Sequence, residues 1–102
     1  MMPISPETHR PKVDIRHLVD RGAVLLDVRT EEEFVGFHLP GAVNIPYEAL
    51  DDQLESVRRW KKPVLVYSAE GRRSSLATSK LRNCGVSAYD AGARDELFSC
   101  LS

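Results

Sequence analysis

Cysteine is scarce in this 102-residue chain: Cys84 and Cys100 are its only two, and they lack C-x-x-C spacing. The three histidines are scattered, so no metal site is expected. Spacing alone cannot place two thiols within bonding distance. In a chain without an export signal, both are expected to stay reduced. Long apolar runs are also missing: residues 23–26 and 64–67 are strand-sized, far short of the roughly 20 residues of a membrane helix. Residues 1–13 carry prolines and charges rather than the apolar core of a signal peptide, so a cytoplasmic location and no membrane partner are expected. Neither sign of charge dominates, with 14 basic against 15 acidic side chains and a net charge of −1. No global positive field is available to hold nucleic acid, so any partner must be recognised locally. Basic and aromatic residues do not interleave as a base-stacking surface would need, and Trp60 and Phe34 are read as packing residues. Repeats, low-complexity tracts and linkers are absent as well.

What is present suits a folded unit. At 42% hydrophobic and 28% charged, the chain can bury a core and keep a polar surface. Its length fits a single domain over residues 1–102, with 1–13 as a loose N-terminal segment. Strand-like runs alternate with helical patterns, which predicts an α/β fold on a largely parallel sheet. Asp14 is placed to cap a helix with Ile15, Leu18 and Val19 on one face, ended by Gly22. Residues 24–28 read as a buried strand. Thr30 and Glu33 form a capping-box pattern for a short helix, broken by Gly36, Pro40 and Gly41. A brief strand over 43–45 stops at Pro46. Leu50, Leu54 and Val57 then share a helical face over 50–60. After Pro63 comes a strand over 64–67, a polar loop, and a helix opened by Ser74 with the stripe Ala77, Leu81 and Cys84. Gly85 closes that helix. A strand over 87–89 and a helix over 94–101 complete the order.

The segment 64–84 carries the chemistry. In an open α/β sheet, ligands collect beyond the carboxyl ends of the strands, where the loop Ser68, Ala69, Glu70, Gly71, Arg72, Arg73 is expected. Gly71 allows backbone angles that turn successive N–H groups inward, and the helix after it adds its positive end. Arg72 and Arg73 bring fixed positive charge, partly offset by Glu70. Together they predict an anion pocket with residue 68 facing it. A cysteine there would be held as thiolate, and the same donors would stabilise a persulfide. A serine hydroxyl stays protonated and cannot carry a transferable sulfur.

These residues resemble the C-x-x-G-x-R loop of single-domain rhodaneses, with Ser68 at the cysteine position. Two upstream stretches agree. Leu26, Asp27, Val28 and Arg29 resemble the family's D-V-R strand end. Glu33, Phe34 and Gly36 with His38, Leu39, Pro40, Gly41 and Ala42 resemble its E-[FY]-x-x-G-H-[IL]-P-G-A stretch. Ala91 and Gly92 match its later G-G turn imperfectly. The resemblance runs from Asp14 to Gly92. It implies a three-layer rhodanese-like fold, a mostly parallel sheet flanked by helices. It also implies that Asp27, Arg29 and His38 support the active loop, that Arg73 closes it and acts with position 68 in catalysis, and that Ala69, Glu70, Gly71, Arg72 and Ser74 form the anion-binding loop. The implied reaction moves sulfane sulfur from thiosulfate or a persulfide to a thiol or cyanide acceptor, with no cofactor. Four residues separate Ser68 from Arg73; the related phosphatases have five, so by resemblance this loop suits sulfur rather than a phosphate ester.

Three readings of Ser68 stand at this point. It replaces the cysteine of an active sulfurtransferase, or it marks a rhodanese-like module that binds an anion or a protein without catalysis, or it is a hydrolase nucleophile. The last lacks the G-x-S-x-G elbow, since Val66 and Glu70 occupy the glycine positions. Gly71, Arg73 and Ser74 fit the first reading, and anion binding would use the same residues.

Overall fold

The two apolar runs of the sequence become the two central strands of a parallel sheet. In a computed structural model the described residues are 15–101. The cap expected at Asp14, the segment 1–13 and the side chain of Cys100 lie outside the described residues. In chain order the elements are α1 (Ile15–Asp20), β1 (Val24–Asp27), α2 (Glu31–Gly36), β2 (Val43–Asn44), a 3-10 segment (Tyr47–Gln53), α3 (Leu54–Trp60), β3 (Val64–Ser68), α4 (Arg72–Asn83), β4 (Ala88–Ala93) and α5 (Arg94–Leu101). All strand pairs are parallel, in the order β2-β1-β3-β4.

Side-chain alternation along the strands divides the core into two layers, one on each sheet face. Leu26, Val64, Val66 and Ala88 meet Leu50, Val57, Ala77 and Leu81 on the face covered by α3 and α4. On the other face Tyr67 and Leu25 of the sheet pack with Ile15 of α1 and with Leu97 and Leu101 of α5. The three layers expected from the sequence are therefore present. Every residue of β3 is buried, as its place between two strands and two helical layers requires.

Two local expectations are corrected. The helix read over 50–60 begins as the 3-10 segment, which turns Leu50 fully inward before α3 takes over. Asp51 and Asp52 are weak α-formers, and tighter winding is common at helix starts. The last strand runs to Ala93 instead of ending at Tyr89. A bulge skips Ala91, so that Gly92 and Ala93 pair beside Tyr67 and Ser68. Cys84, the C-cap of α4, packs against the cluster that holds Ala77 and Leu81, as its place on the stripe predicts. It is half-buried, with its thiol 3.3 Å from the Leu81 carbonyl.

The carboxyl end of β1 is knotted by a buried ion pair. The Arg29 Nη2 and Nε groups reach Asp27 Oδ2 at 2.8 Å and Oδ1 at 3.0 Å, and the Arg29 N–H also donates to Oδ1. Arg29 Nη2 donates further to the Phe37 carbonyl, and Asn44 Nδ2 bridges the carbonyls of Asp27 and Arg29. The knot thus fixes the ends of β1 and β2 and the chain after α2. At the opposite, amino-terminal edge lies a cavity of about 270 Å³, lined by Arg58, Lys61, Lys62 and Ser87 among others and remote from the strand-end loops. Among the described residues no helix is long and apolar enough to cross a membrane, and no cluster of His, Cys, Asp or Glu is arranged for a metal ion.

Replacing Arg29 by Met would leave the Asp27 carboxylate buried without its partner. Urea denaturation should show a loss of about 3–5 kcal/mol. A loss below about 1 kcal/mol would mean that the knot does not hold the strand ends.

Candidate functional site

In the order β2-β1-β3-β4, the chain runs from β1 outward to β2 and then crosses back to β3. The carboxyl ends of β1 and β3 therefore flank a topological switch point, the usual ligand crevice of an open α/β sheet. Ser68 is the last residue of β3 and lies there 1% exposed. Ala69 and Glu70 are exposed, and Gly71 turns the chain with φ of +90°. A side chain at Gly71 would be strained by that angle, and its Cβ would stand 3.7 Å from the backbone of Gly92 and Ala93.

This turn brings two backbone donors onto one atom. Ser68 Oγ accepts from the Gly71 N–H at 3.0 Å and from the Ser74 N–H at 3.1 Å. Among the described residues it donates no hydrogen bond. The expectation that Ser74 opens and caps the helix is corrected: α4 begins at Arg72, with Gly71 at the N-cap. Ser68 itself satisfies the Ser74 N–H from the end of the strand. That frees the Ser74 hydroxyl to donate to Asp90 Oδ1 at 2.8 Å, with the Gly71 carbonyl at 3.0 Å.

Charge around the crevice is unevenly placed. The first turns of α2 and α5 are acidic, with Glu31, Glu32 and Glu33 in one and Asp95 and Glu96 in the other. These complement the helix dipoles. The first turn of α4 has no acid and begins with Arg72 and Arg73. Its dipole therefore has no acidic side chain of its own first turn to complement it. Arg72 is exposed, whereas Arg73 is turned to Glu33, with Nη1–Oε1 at 3.0 Å and Nη2–Oε2 at 3.2 Å. Glu33 is also the capping-box residue of α2, taking the Thr30 N–H at 2.8 Å. The Arg73 guanidinium, then the Thr30 N–H, lower the pKa of the Glu33 carboxyl to about 2. One carboxylate thus ties the loop to α2.

The remaining expected residues stand beside the crevice rather than in it. Asp27 and Arg29 form the knot at the neighbouring strand end. The His38 ring stacks on Phe34 at 3.8 Å and its Nδ1 lies 2.8 Å from the Phe34 carbonyl, so the ring closes the chain after α2. Under them, Tyr67 takes the Leu39 N–H on its hydroxyl; burial first, and then Asp27, push that hydroxyl's pKa well up. The structure therefore brings together Ser68, Gly71 and Ser74, with Arg73 one step away. Sequence reasoning missed two contributors, the second role of Glu33 and all of Asp90. The Asp90-x-Gly92 spacing is an Asx-turn signal, and Asp90 Oδ1 does accept from the Gly92 N–H at 2.9 Å.

The Glu33–Arg73 pair has a definite pH signature. Because the folded-state pKa is depressed, its stabilisation is present above about pH 4.5 and lost as pH falls toward about 2. The Glu33 side chain is 36% exposed, so solvent screens the pair. Glu33→Gln should cost about 0.5–1 kcal/mol at pH 7 by urea denaturation, and the gap from the unmodified chain should close across that window. A gap that stays constant from pH 7 to pH 2 would contradict the pairing.

The fold recurs in known proteins. The family model described as "Rhodanese-like domain" matches residues 12–95. The human single-domain sulfurtransferase TSTD1 superposes with a TM-score of 0.67 at 28% identity, covering 87% of this chain and 96% of that one. The protein YqhL of Bacillus subtilis is 42% identical over 65 residues, 64% of this chain and 51% of YqhL. A tRNA sulfurtransferase of Thermoplasma acidophilum is 29% identical over 80 residues, 78% of this chain and 16% of that enzyme. The chain thus spans about half or less of the curated relatives it matches. With the family model matched from end to end of the sheet, the chain belongs to the rhodanese-like domain family.

Proposed function

We propose that this chain is a single rhodanese-type sulfur-transfer domain whose sulfur-bearing position is residue 68, silenced here by serine. One observation carries the reading: two backbone N–H groups converge on one buried side-chain oxygen, which accepts from both. Such a cradle suits an atom that is only an acceptor. A thiolate or a persulfide anion is one, whereas a hydroxyl still has its own proton to place. The unneutralised N-terminus of α4 and the exposed Arg72 add to the preference for negative charge. Arg73, held by Glu33, stiffens the loop, and the loop backbone from Ala69 to Ser74 shapes the pocket. The names of the relatives, two of them sulfurtransferases, support the same reading.

With cysteine at position 68 the reaction balances in two steps. The thiolate attacks the outer sulfur of thiosulfate, a sulfur–sulfur bond forms, and the sulfur–sulfur bond of thiosulfate breaks to release sulfite. The enzyme then holds a persulfide with one negative charge. Cyanide or a thiolate next takes the terminal sulfur, giving thiocyanate or a new persulfide, and the cysteine thiolate returns. A protein persulfide would serve as donor in the same way. The chemistry asks for no metal or organic cofactor, because sulfur itself carries the charge. Thiol acceptors belong to a reducing compartment such as the cytoplasm.

A second reading, a non-catalytic partner-binding module, has one observation in its favour. Phe37 and Phe98 meet edge to face at 6.1 Å while each stays 47% exposed, and Arg94 lies over the Phe37 ring. Arg94 follows Ala93, the register partner of Ser68, so this apolar patch adjoins the loop.

The discriminating experiment is thiosulfate-to-cyanide transfer by the chain as it stands and by Ser68→Cys, each followed by intact mass. The serine form should be inert. The cysteine form should turn over and gain the mass of one sulfur atom after thiosulfate alone. A folded but inert cysteine form would overturn the sulfur-transfer reading in favour of the binding module.

A further inference from the structure

The loop's two donors have no reason of their own to point at one atom. Gly71 is conformationally free, and the Ser74 N–H is the third of a helix whose start is set by the loop before it. A carboxylate on the neighbouring strand is bonded beside both. Asp90 Oδ1 accepts from the buried Ser74 hydroxyl at 2.8 Å and from the Gly92 N–H at 2.9 Å. The Ser74 backbone is held from the helix side too, since its carbonyl accepts from Thr78 Oγ1 at 2.7 Å. Gly92 is the residue that the bulge at Ala91 carries next to Tyr67, and its backbone lies 3.7 Å from where a Cβ on Gly71 would stand. One oxygen therefore holds the N3 residue of α4, whose hydroxyl also lies 3.0 Å from the Gly71 carbonyl, and the Gly92 backbone that faces the Gly71 turn.

We propose that Asp90 is a positioning residue of this site: through Ser74 and Gly92 it aims the N–H groups of Ser74 and Gly71 at the atom carried by residue 68. The proposal rests on reading position 68 as the sulfur-bearing position. Asp90 touches neither that atom nor a substrate. Its negative charge, acting through space, would oppose an anion at residue 68, while its hydrogen bonds favour one by aligning the donors. The two effects have opposite signs, so substitution tells them apart. Both bonds end on the same oxygen, and asparagine can keep both while losing the charge.

The test measures the pKa of the thiol that Ser68→Cys introduces, alone and with Asp90→Asn or Asp90→Ala, from the pH dependence of iodoacetamide alkylation. Asp90→Asn should leave the pKa unchanged or lower it. Asp90→Ala should raise it by about one unit, cutting the thiolate fraction near neutral pH up to tenfold, with the far-ultraviolet circular dichroism unaltered. A pKa that is lower or unchanged in Asp90→Ala overturns the proposal. If Asp90→Ala does not fold, Ser74→Ala decides instead. It removes the hydroxyl that Asp90 holds but keeps the backbone N–H, and it should also raise the pKa; no rise overturns the proposal. In the serine chain, amide exchange at Gly71 and Ser74 should quicken about tenfold in Asp90→Ala and not in Asp90→Asn, relative to Leu26 in β1. None of these readouts needs turnover. Failure of Ser68→Cys to transfer sulfur would sink the sulfur-transfer reading without deciding the role of Asp90.

Discussion

A left-handed turn between a buried strand and a helix governs this molecule. Because Ser68 ends β3 inside the core and Gly71 reverses the chain three residues later, the start of α4 folds back over the strand end. Two N–H groups that would otherwise need water or a separate cap then share one buried acceptor. Burial makes these bonds stronger and makes any loss of them costlier than at the surface. The turn needs rigid surroundings, and the structure supplies them on three sides: the Asp27–Arg29 knot on β1, the Glu33–Arg73 pair from α2, and Asp90 on β4. Each is a carboxylate, and each reaches the end of a different element around the crevice.

The electrostatics follow from how those carboxylates are used. Glu31, Glu32, Asp95 and Glu96 sit at helix starts where negative charge stabilises the helix itself. α4 forgoes that stabilisation and places arginines where the dipole disfavours them. Among the helices around the crevice, α2 and α5 keep the local rule and α4 does not, the kind of departure expected where function competes with stability. The negative charge that α4 lacks would come from the sulfur atom that position 68 is read to hold, so stability and chemistry are linked at one residue.

Much of the fold was legible in the sequence because its signals are local. The apolar run at 64–67, the Thr30–Glu33 capping box and Gly85 after α4 each depend on neighbours a few residues away, and each is found in place. The errors arise where distant residues decide. Ser74 reads as a helix opener because serine is a good cap, but the capping oxygen comes from Ser68, on the strand before the turn. The strand ending at Ala93 reads too short in sequence because the bulge at Ala91 shows itself only against β3. Arg73 reads as an anion-facing charge because its partner Glu33 stands 40 residues away in sequence. Asp90 had a local sign, its spacing to Gly92, but its bond to Ser74 joins two elements and has no short-range signature.

The central claim is that the donors of Gly71 and Ser74 form a cradle for an anion at position 68. The most direct measurement follows their amide proton shifts by NMR in Ser68→Cys as pH is raised through the thiol titration. The account predicts that both protons move downfield as the thiolate forms, with one shared midpoint well below the roughly 8.5 of a free cysteine. Amides that do not respond, or that share a midpoint at or above about 8.5, would contradict it.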